Sequence, residues 1–406
     1  MRRKSPTLCS LFIVSILLLT GSYAWSALAV STNGAGIFML DSATGTSTNF
    51  TIDWGGTSPT RLEGVITKQG KMYVVDQNIA GPMLHVLEIN SGGANPTARR
   101  IGNATLLKQG SNDLSEPSSI VMDGSGGLYV RGKNDYAYVN PQFNVSINTL
   151  SSTHYKEFSD IAAFNTGAVI IHQNDTNGLP SGESYASTVS GAVNTYTNVI
   201  STQAQPNYNP KAVAIHPNVT PSPLAYVLNN TYMTTGIWTV NVIDAGTSTP
   251  LASSRFTLDS NMTPVDITAF TTATGNYIGI LAKNRSGTPQ QDHTLWVYGL
   301  GTDGRINGNR ASYNIPGTIL SDVYRLEASA NGEVLWIANL VAGTVDVLNT
   351  NTWLINPNGS LTASGINYLA DWDGSFVIPQ VPEPSSFIAF LTFATGMFGL
   401  ARRRKR

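Results

Sequence analysis

The chain has 406 residues, with 24 Lys and Arg against 25 Asp and Glu, a formal charge of −1 and a single cysteine. One cysteine excludes a disulfide framework and a Cys-x-x-Cys metal site. A low charged fraction and an Asn-, Thr-, Ser- and Gly-rich composition disfavour helix and suit short strands joined by tight turns. The charge is unevenly spread. Residues 30–384 hold 16 of the cations and all 25 acids, a net −9 that argues against nucleic acid or anionic surfaces as partners.

The N-terminus opens with Arg2, Arg3 and Lys4, followed by the apolar run Leu11 to Leu19 and then small residues. This is the pattern of a secretory signal peptide, too short for a permanent span. Ala27-Leu28-Ala29 reads as the better cleavage site and Ser22-Tyr23-Ala24 as the alternative, so residues 1–29 are expected to leave. Cys9 precedes the apolar run and would leave with them, which makes it unsuitable for lipid attachment. Without disulfides, stability rests on the core that residues 30–380 can build, and that length is ample.

That stretch repeats one unit: a short apolar strand, a Gly- or Asn-bearing turn, then a second apolar strand. Arg61 to Ile66 leads through Gly70 into Met72 to Asp76, and Pro117 to Asp123 through Gly126-Gly127 into Leu128 to Val130. Asp160 to Phe164 and Ala168 to Ile171, Lys211 to Pro217 and Ala225 to Asn229, Val265 to Phe270 and Tyr277 to Leu281, and Tyr324 to Ala328 and Val334 to Ala338 follow suit. A third strand often comes next, as in Leu84 to Ile89, Trp238 to Ile243, Leu295 to Tyr298 and Thr344 to Leu348. The period is about 40 to 60 residues with no helical spacing of apolar positions, which predicts four-stranded blades of a β-propeller. A blade has two apolar faces and can bury neither alone, so blades must stack around an axis. Six or eight blades, or a β-sandwich with irregular hairpins, are the alternatives to a seven-bladed ring.

The ends of this region complement each other. Gly36 to Gly45 reads as a third strand and turn without the first two. Asn367 to Gly374 and Ser375 to Ile378 read as a first and second strand without the rest. Together they predict one composite blade that closes the ring and spares it open edges. Six complete units and this composite make seven. On architecture alone the body resembles the seven-bladed surface propellers of the YVTN and NHL-like type.

Chemistry in the body is sparse. The five histidines, His85, His154, His172, His216 and His293, have no metal-ligand spacing, and there is no His-Glu-x-x-His, nucleophile elbow, phosphate loop or dinucleotide fingerprint. His216, before Pro217, reads as a satisfied structural imidazole. Asp371 and Asp373 flank Trp372 before Gly374, a weak candidate for a hard cation that also makes a good hairpin turn. Tyr73, Tyr129, Tyr226, Tyr277 and Trp336 are expected in the core, the sharper alternative being a sugar-binding face. Carboxylates look scarce at the ends of the inner strands, so no cofactor is expected. The body therefore reads as a binding or structural module open to a carbohydrate or protein ligand. The alternative is an exported lactonase-like hydrolase with a central metal.

The last segment is the most specific. Pro382-Glu383-Pro384 should be extended and accessible to a protease, because the prolines fix φ and remove donors. Phe387 to Ala401 is uncharged, and Arg402, Arg403, Arg404, Lys405 and Arg406 end the chain. The fifteen-residue run would span roughly 22 Å as a helix, short of a ~30 Å hydrocarbon core. A thin single transmembrane helix is expected, with the cations holding its end on the cytoplasmic side. In its three parts and their order, segment 381–406 resembles the PEP-CTERM sorting signal of exported bacterial proteins. That resemblance implies an exosortase-type membrane enzyme as partner, a transient stay in the inner membrane, cutting near Pro382-Glu383-Pro384, and delivery to the cell surface or an extracellular matrix.

Overall fold

The computed structural model describes residues 27–371, less the stretches 33–35, 42–46, 57, 69, 79–80, 91–96, 150–154, 175–183, 192–196, 202–207, 217–221, 232–236, 252–255, 259–261, 285–292, 316–323, 330, 340–342, 356–360 and 363–365. Every regular element among the described residues is a strand. Of the expected signal peptide 1–29, residues 1–26 lie outside them, as do Pro382, Glu383 and Pro384, the run Phe387 to Ala401 and the cations Arg402 to Arg406. Among the described residues no helix is long and apolar enough to cross a membrane.

The chain is an all-β propeller. Six blades are each built from one consecutive run of chain, with strands antiparallel from the axis outward. Blade 1 starts from the inner strand Leu62–Lys68, blade 2 from Ser119–Met122, blade 3 from Tyr155–Phe164, blade 4 from Tyr208–His216, blade 5 from Met262–Thr272 and blade 6 from Tyr324–Ala328. The strand Thr51–Asp53 adds to blade 1 in parallel, against Thr97–Arg100, and covers its outer edge. The apolar clusters lie between successive sheets rather than between two facing ones, which sets aside the sandwich.

Strand periodicity explains why the second strands look almost continuously apolar. In blade 6, Val334 to Ala338 are all buried because successive side chains leave opposite faces and both faces are covered. Leu335 and Ile337 pack with blade 5, through Leu281, Leu295 and Val297. Val334, Trp336 and Ala338 pack on the other side, with Leu40. Blade 3 does the same, Ala168 and Ile170 facing blade 2 and Val169 and Ile171 facing blade 4. Close approach between blades also dictates the turn glycine of blade 6. Gly332 has φ +68°, and a Cβ there would collide with the Thr271 carbonyl of blade 5.

A further four-stranded sheet is made from both ends of the described chain, in the order Ser47–Asn49, Ile37–Asp41, Ala27–Thr32, Ile366–Asp371. The C-terminal strand is innermost, pairing Ala370 with Ala29 and Leu369 with Val30. Ile37–Asp41 occupies the third position, as its turn chemistry predicted. Ile37 and Met39 pack into blade 1 with Leu62, Val65 and Met72, while Leu40 packs against Trp336 and Val345 of blade 6. The second position departs from expectation. It is filled by Ala27–Thr32, not by residues around Phe376, which lie outside the described residues. Ala27-Leu28-Ala29 reads equally as a small-x-small peptidase site and as an alternating strand, and local sequence cannot separate the two.

Candidate functional site

Four of the inner strands carry a register shift near their start, between Leu62 and Gly64, Phe158 and Asp160, Pro210 and Ala212, and Pro264 and Asp266. A bulge bends the strand and re-aims the next side chain. In blades 3 and 5 that side chain is an aspartate, and both do the same thing. Asp160 accepts the N–H of Ile161 at 2.9 Å and, across the blade boundary, the N–H of Val213 at 3.0 Å. Asp266 accepts the N–H of Ile267 at 2.9 Å and that of Leu326 in blade 6 at 2.8 Å. Each carboxylate thus ties its own inner strand to the next blade's inner strand.

These strands enclose an axial cavity of about 450 Å³. Asp160, Asp266, Arg325 and Glu327 line it together with Thr67, Thr268, Thr271 and Ser329, and the remaining side chains of the wall are apolar. Asp266 is 5 % exposed, and burial pushes its carboxyl up to about 6, against the lowering influence of the Arg325 guanidinium. Glu63, at the bulge of blade 1, is also raised by burial, to about 7, although Arg61 lies within ion-pair reach. The sequence reading that carboxylates are scarce on the inner strands is therefore corrected. The signal was present as a repeated pentad, Asp160-Ile161-Ala162-Ala163-Phe164 and Asp266-Ile267-Thr268-Ala269-Phe270. Its meaning depends on the bulge, which no local pattern announces.

His216 ends the inner strand of blade 4 and is buried. Its Nε2 lies 3.3 Å from the Phe270 carbonyl and 3.2 Å from the Thr271 hydroxyl oxygen. A carbonyl can only accept, so Nε2 carries the proton; burial holds the ring below its ordinary pKa. It is a structural imidazole joining blades 4 and 5, as its position before Pro217 suggested. Asp371 ends the innermost strand of the end-built sheet, opposite Leu28, and Asp373 lies outside the described residues. Among the described residues no three His, Cys, Asp or Glu side chains converge as a metal site.

The aromatic residues divide. Tyr129, Tyr226 and Trp336 are fully buried, whereas Tyr73 and Tyr277 are half-buried. The buried tyrosines also join blades: Tyr129 Oη accepts the N–H of Gly191 at 2.8 Å, and Tyr226 Oη donates to the Gly304 carbonyl at 2.8 Å. Burial raises both phenols, so they stay neutral hydrogen-bonding groups. Tyr277 belongs to a different group. It is stacked on Phe270 and meets Trp353 edge-on at 6.1 Å, while Trp353 stacks on Tyr313 at 5.1 Å with the rings 9° apart. Trp353 was not singled out from the sequence, because it lies in a turn between strands.

Comparison with solved structures agrees with the propeller class. A protein from Lactobacillus plantarum superposes with a TM-score of 0.57 at 11 % identity, over 86 % of this chain and 99 % of its own. A candidate 6-phosphogluconolactonase from Bacteroides uniformis gives 0.57 at 12 % identity, over 86 % and 99 %. A functionally unknown protein from Desulfotomaculum acetoxidans gives 0.54 at 11 %, over 84 % and 98 %. At such identities the likeness concerns the fold alone, and no curated protein matches the sequence. The tail is more informative. Residues 380–406 match the PEP-CTERM protein-sorting motif, so a propeller body is followed by the tail of an exported protein that is processed at the membrane.

Proposed function

We propose that this is an exosortase substrate delivered to the cell surface or an extracellular matrix, where its propeller acts as a non-enzymatic binding module. In this reading the end-built sheet completes the ring as a seventh blade. The match of residues 380–406 to the sorting motif carries the reading. The two backbone N–H groups that Asp160 and Asp266 each accept give both carboxylates a structural task between blades, which supports a binding module over a hydrolase. Pro382-Glu383-Pro384 is the processing signal, Phe387 to Ala401 a transient anchor, and Arg402 to Arg406 the stop that sets orientation.

Glu383→Ala leaves the apolar run and the cations intact, so insertion proceeds and cutting stops. In a host that has the exosortase, the variant accumulates uncut in the inner-membrane fraction while the parent is found trimmed at the surface. Fractionation with mass spectrometry of the mature C-terminus reads this. Full-length parent protein as the normal end product would reduce the tail to a plain anchor.

We also infer that export cuts the N-terminus upstream of Ala27. Cutting after Ala29 would remove half of a strand that pairs on both sides, with Ile37–Asp41 and Ile366–Asp371. Cutting after Ala24 leaves the strand whole. The expected mature N-terminus is Trp25, read by mass spectrometry of the exported protein; a start at Val30 would refute it.

A further inference from the structure

The turn that joins the third and outer strands of blade 6, Asn349 to Leu354, contains a conformational anomaly. Trp353 has φ +57°. A bulky L-residue in the left-handed region costs roughly 1–2 kcal/mol, because Cβ crowds the following carbonyl. The matching turns of other blades carry Gly304 at φ +74° in blade 5, Ser248 at φ +57° in blade 4 and Phe143 at φ +64° in blade 2, so the position takes residues of any size. Backbone geometry therefore does not ask for a tryptophan at this place, and the side chain must justify it.

Packing justifies part of it. Tyr313 stacks on the indole, Tyr277 meets it edge-on, and Tyr277 is anchored by a 3.0 Å hydroxyl contact with Thr274. Burial is incomplete, however. Trp54, Trp238, Trp296 and Trp336 are buried, whereas Trp353 is only half-buried, as are Tyr277 and Tyr313. Leu354, next in sequence, is 66 % exposed and the most exposed large apolar side chain among the described residues. Around these rings the turn offers Asn349, Asn351 and Thr352, all exposed, and no charged residue. Asn349 accepts the N–H groups of Asn351 and Thr352 at 2.9 and 3.1 Å, so the turn is preset.

We propose that Tyr277, Tyr313, Trp353 and Leu354 form a stacking platform for a neutral polysaccharide chain. Aromatic faces take the apolar C–H faces of sugar rings, and amide and hydroxyl side chains at the rim pair with sugar hydroxyls. The absence of charge in the turn and the −9 of residues 30–384 select against acidic polymers. The platform is separate from the axial cavity. It deepens the binding-module reading by naming the ligand class, but it is tested on purified protein without any sorting step. A failure here would leave export and trimming standing.

The test is affinity electrophoresis of the full-length chain in mild detergent, in native gels containing hydroxyethylcellulose, dextran, galactomannan or alginate. At least one neutral polymer is expected to retard the parent, and alginate is not. Trp353→Asn, which suits a left-handed position better, should weaken retardation about tenfold or more while the melting curve stays cooperative. Leu354→Ser, at an exposed site where folding is not at stake, should weaken it by a smaller factor and decides the matter if the first variant fails to fold. No retardation in any neutral gel, retardation by alginate alone, or unchanged retardation of the folded variants would each overturn the proposal.

Discussion

A chain lacking residues 27–49 is expected to lose its cooperative fold. Those residues supply three of the four strands of the end-built sheet. They bury Ile37, Met39 and Leu40 between blades 1 and 6. At roughly 1.5–3 kcal/mol for each buried large apolar side chain, these three alone contribute on the order of 5–9 kcal/mol. That is comparable to the whole net stability of an ordinary domain, about 5–15 kcal/mol. Removal also bares Leu62 and Met72 on one side and Trp336 on the other, and opens two sheet edges that can pair with other chains. Aggregation on expression, or early proteolysis of a soluble fraction, is the expected readout. A truncated chain that unfolds no more easily than the parent would refute closure by the ends.

A gain-of-stability counterpart uses the near absence of cysteine. Ala29 and Ala370 are register partners, at a separation that an antiparallel pair holds near 4.5–5.5 Å between Cα atoms, within disulfide range. The double variant Ala29→Cys, Ala370→Cys should oxidise in the exported protein and resist denaturation by about 2–4 kcal/mol more than its reduced form. It crosslinks only if residue 29 survives export, so a thiol left unpaired at position 370 would count against both the N-terminal boundary and the closure.

The second large effect concerns Asp266. Asp266→Ala removes the acceptor of two backbone N–H groups, those of Ile267 and Leu326, in a place with little access to water. Orphaned buried donors cost about 1–3 kcal/mol each, so the loss should be roughly 2–6 kcal/mol in chemical denaturation. The pH dependence has a definite sign. The folded carboxyl is raised to about 6 from an ordinary 3.8. The folded state therefore binds the proton more tightly than the unfolded chain. This contribution to stability is fully present below about pH 4 and is lost as pH rises through 6. Asp160 and Arg325 face Asp266 electrostatically, the first raising and the second lowering its pKa. Comparison with the non-titrating Asp266→Asn isolates the group from Glu63, which shifts in the same direction, and from His216, which shifts in the other. Between pH 7.5 and 4.5 the parent should gain about 2 kcal/mol on this variant. A difference that is flat with pH would show that Asp266 is charged and solvated in the fold.

Much of the architecture was legible because β structure has a period of two and blades repeat it. Paired apolar strands with Gly or Asn between them announced the hairpins, and the incomplete units at either end announced a shared sheet. The tail was legible because it is a linear signal whose order of proline, apolar run and cations is itself the information. Three features waited for the tertiary structure. The Ala27–Thr32 strand is indistinguishable in sequence from the end of a signal peptide, and only its two pairing partners, far apart in the chain, make it part of the sheet. The axial carboxylates Asp160 and Asp266 needed a bulge to turn them toward the next blade, and a bulge is a relation between two strands that neither strand spells alone. Trp353 became notable only when its left-handed φ and its stacking on Tyr313 were seen together, since the ring it meets comes from another blade. Local chemistry determined the strands, the turns and the address. The packing of blade on blade decided which polar and aromatic side chains were left facing a cavity or the solvent.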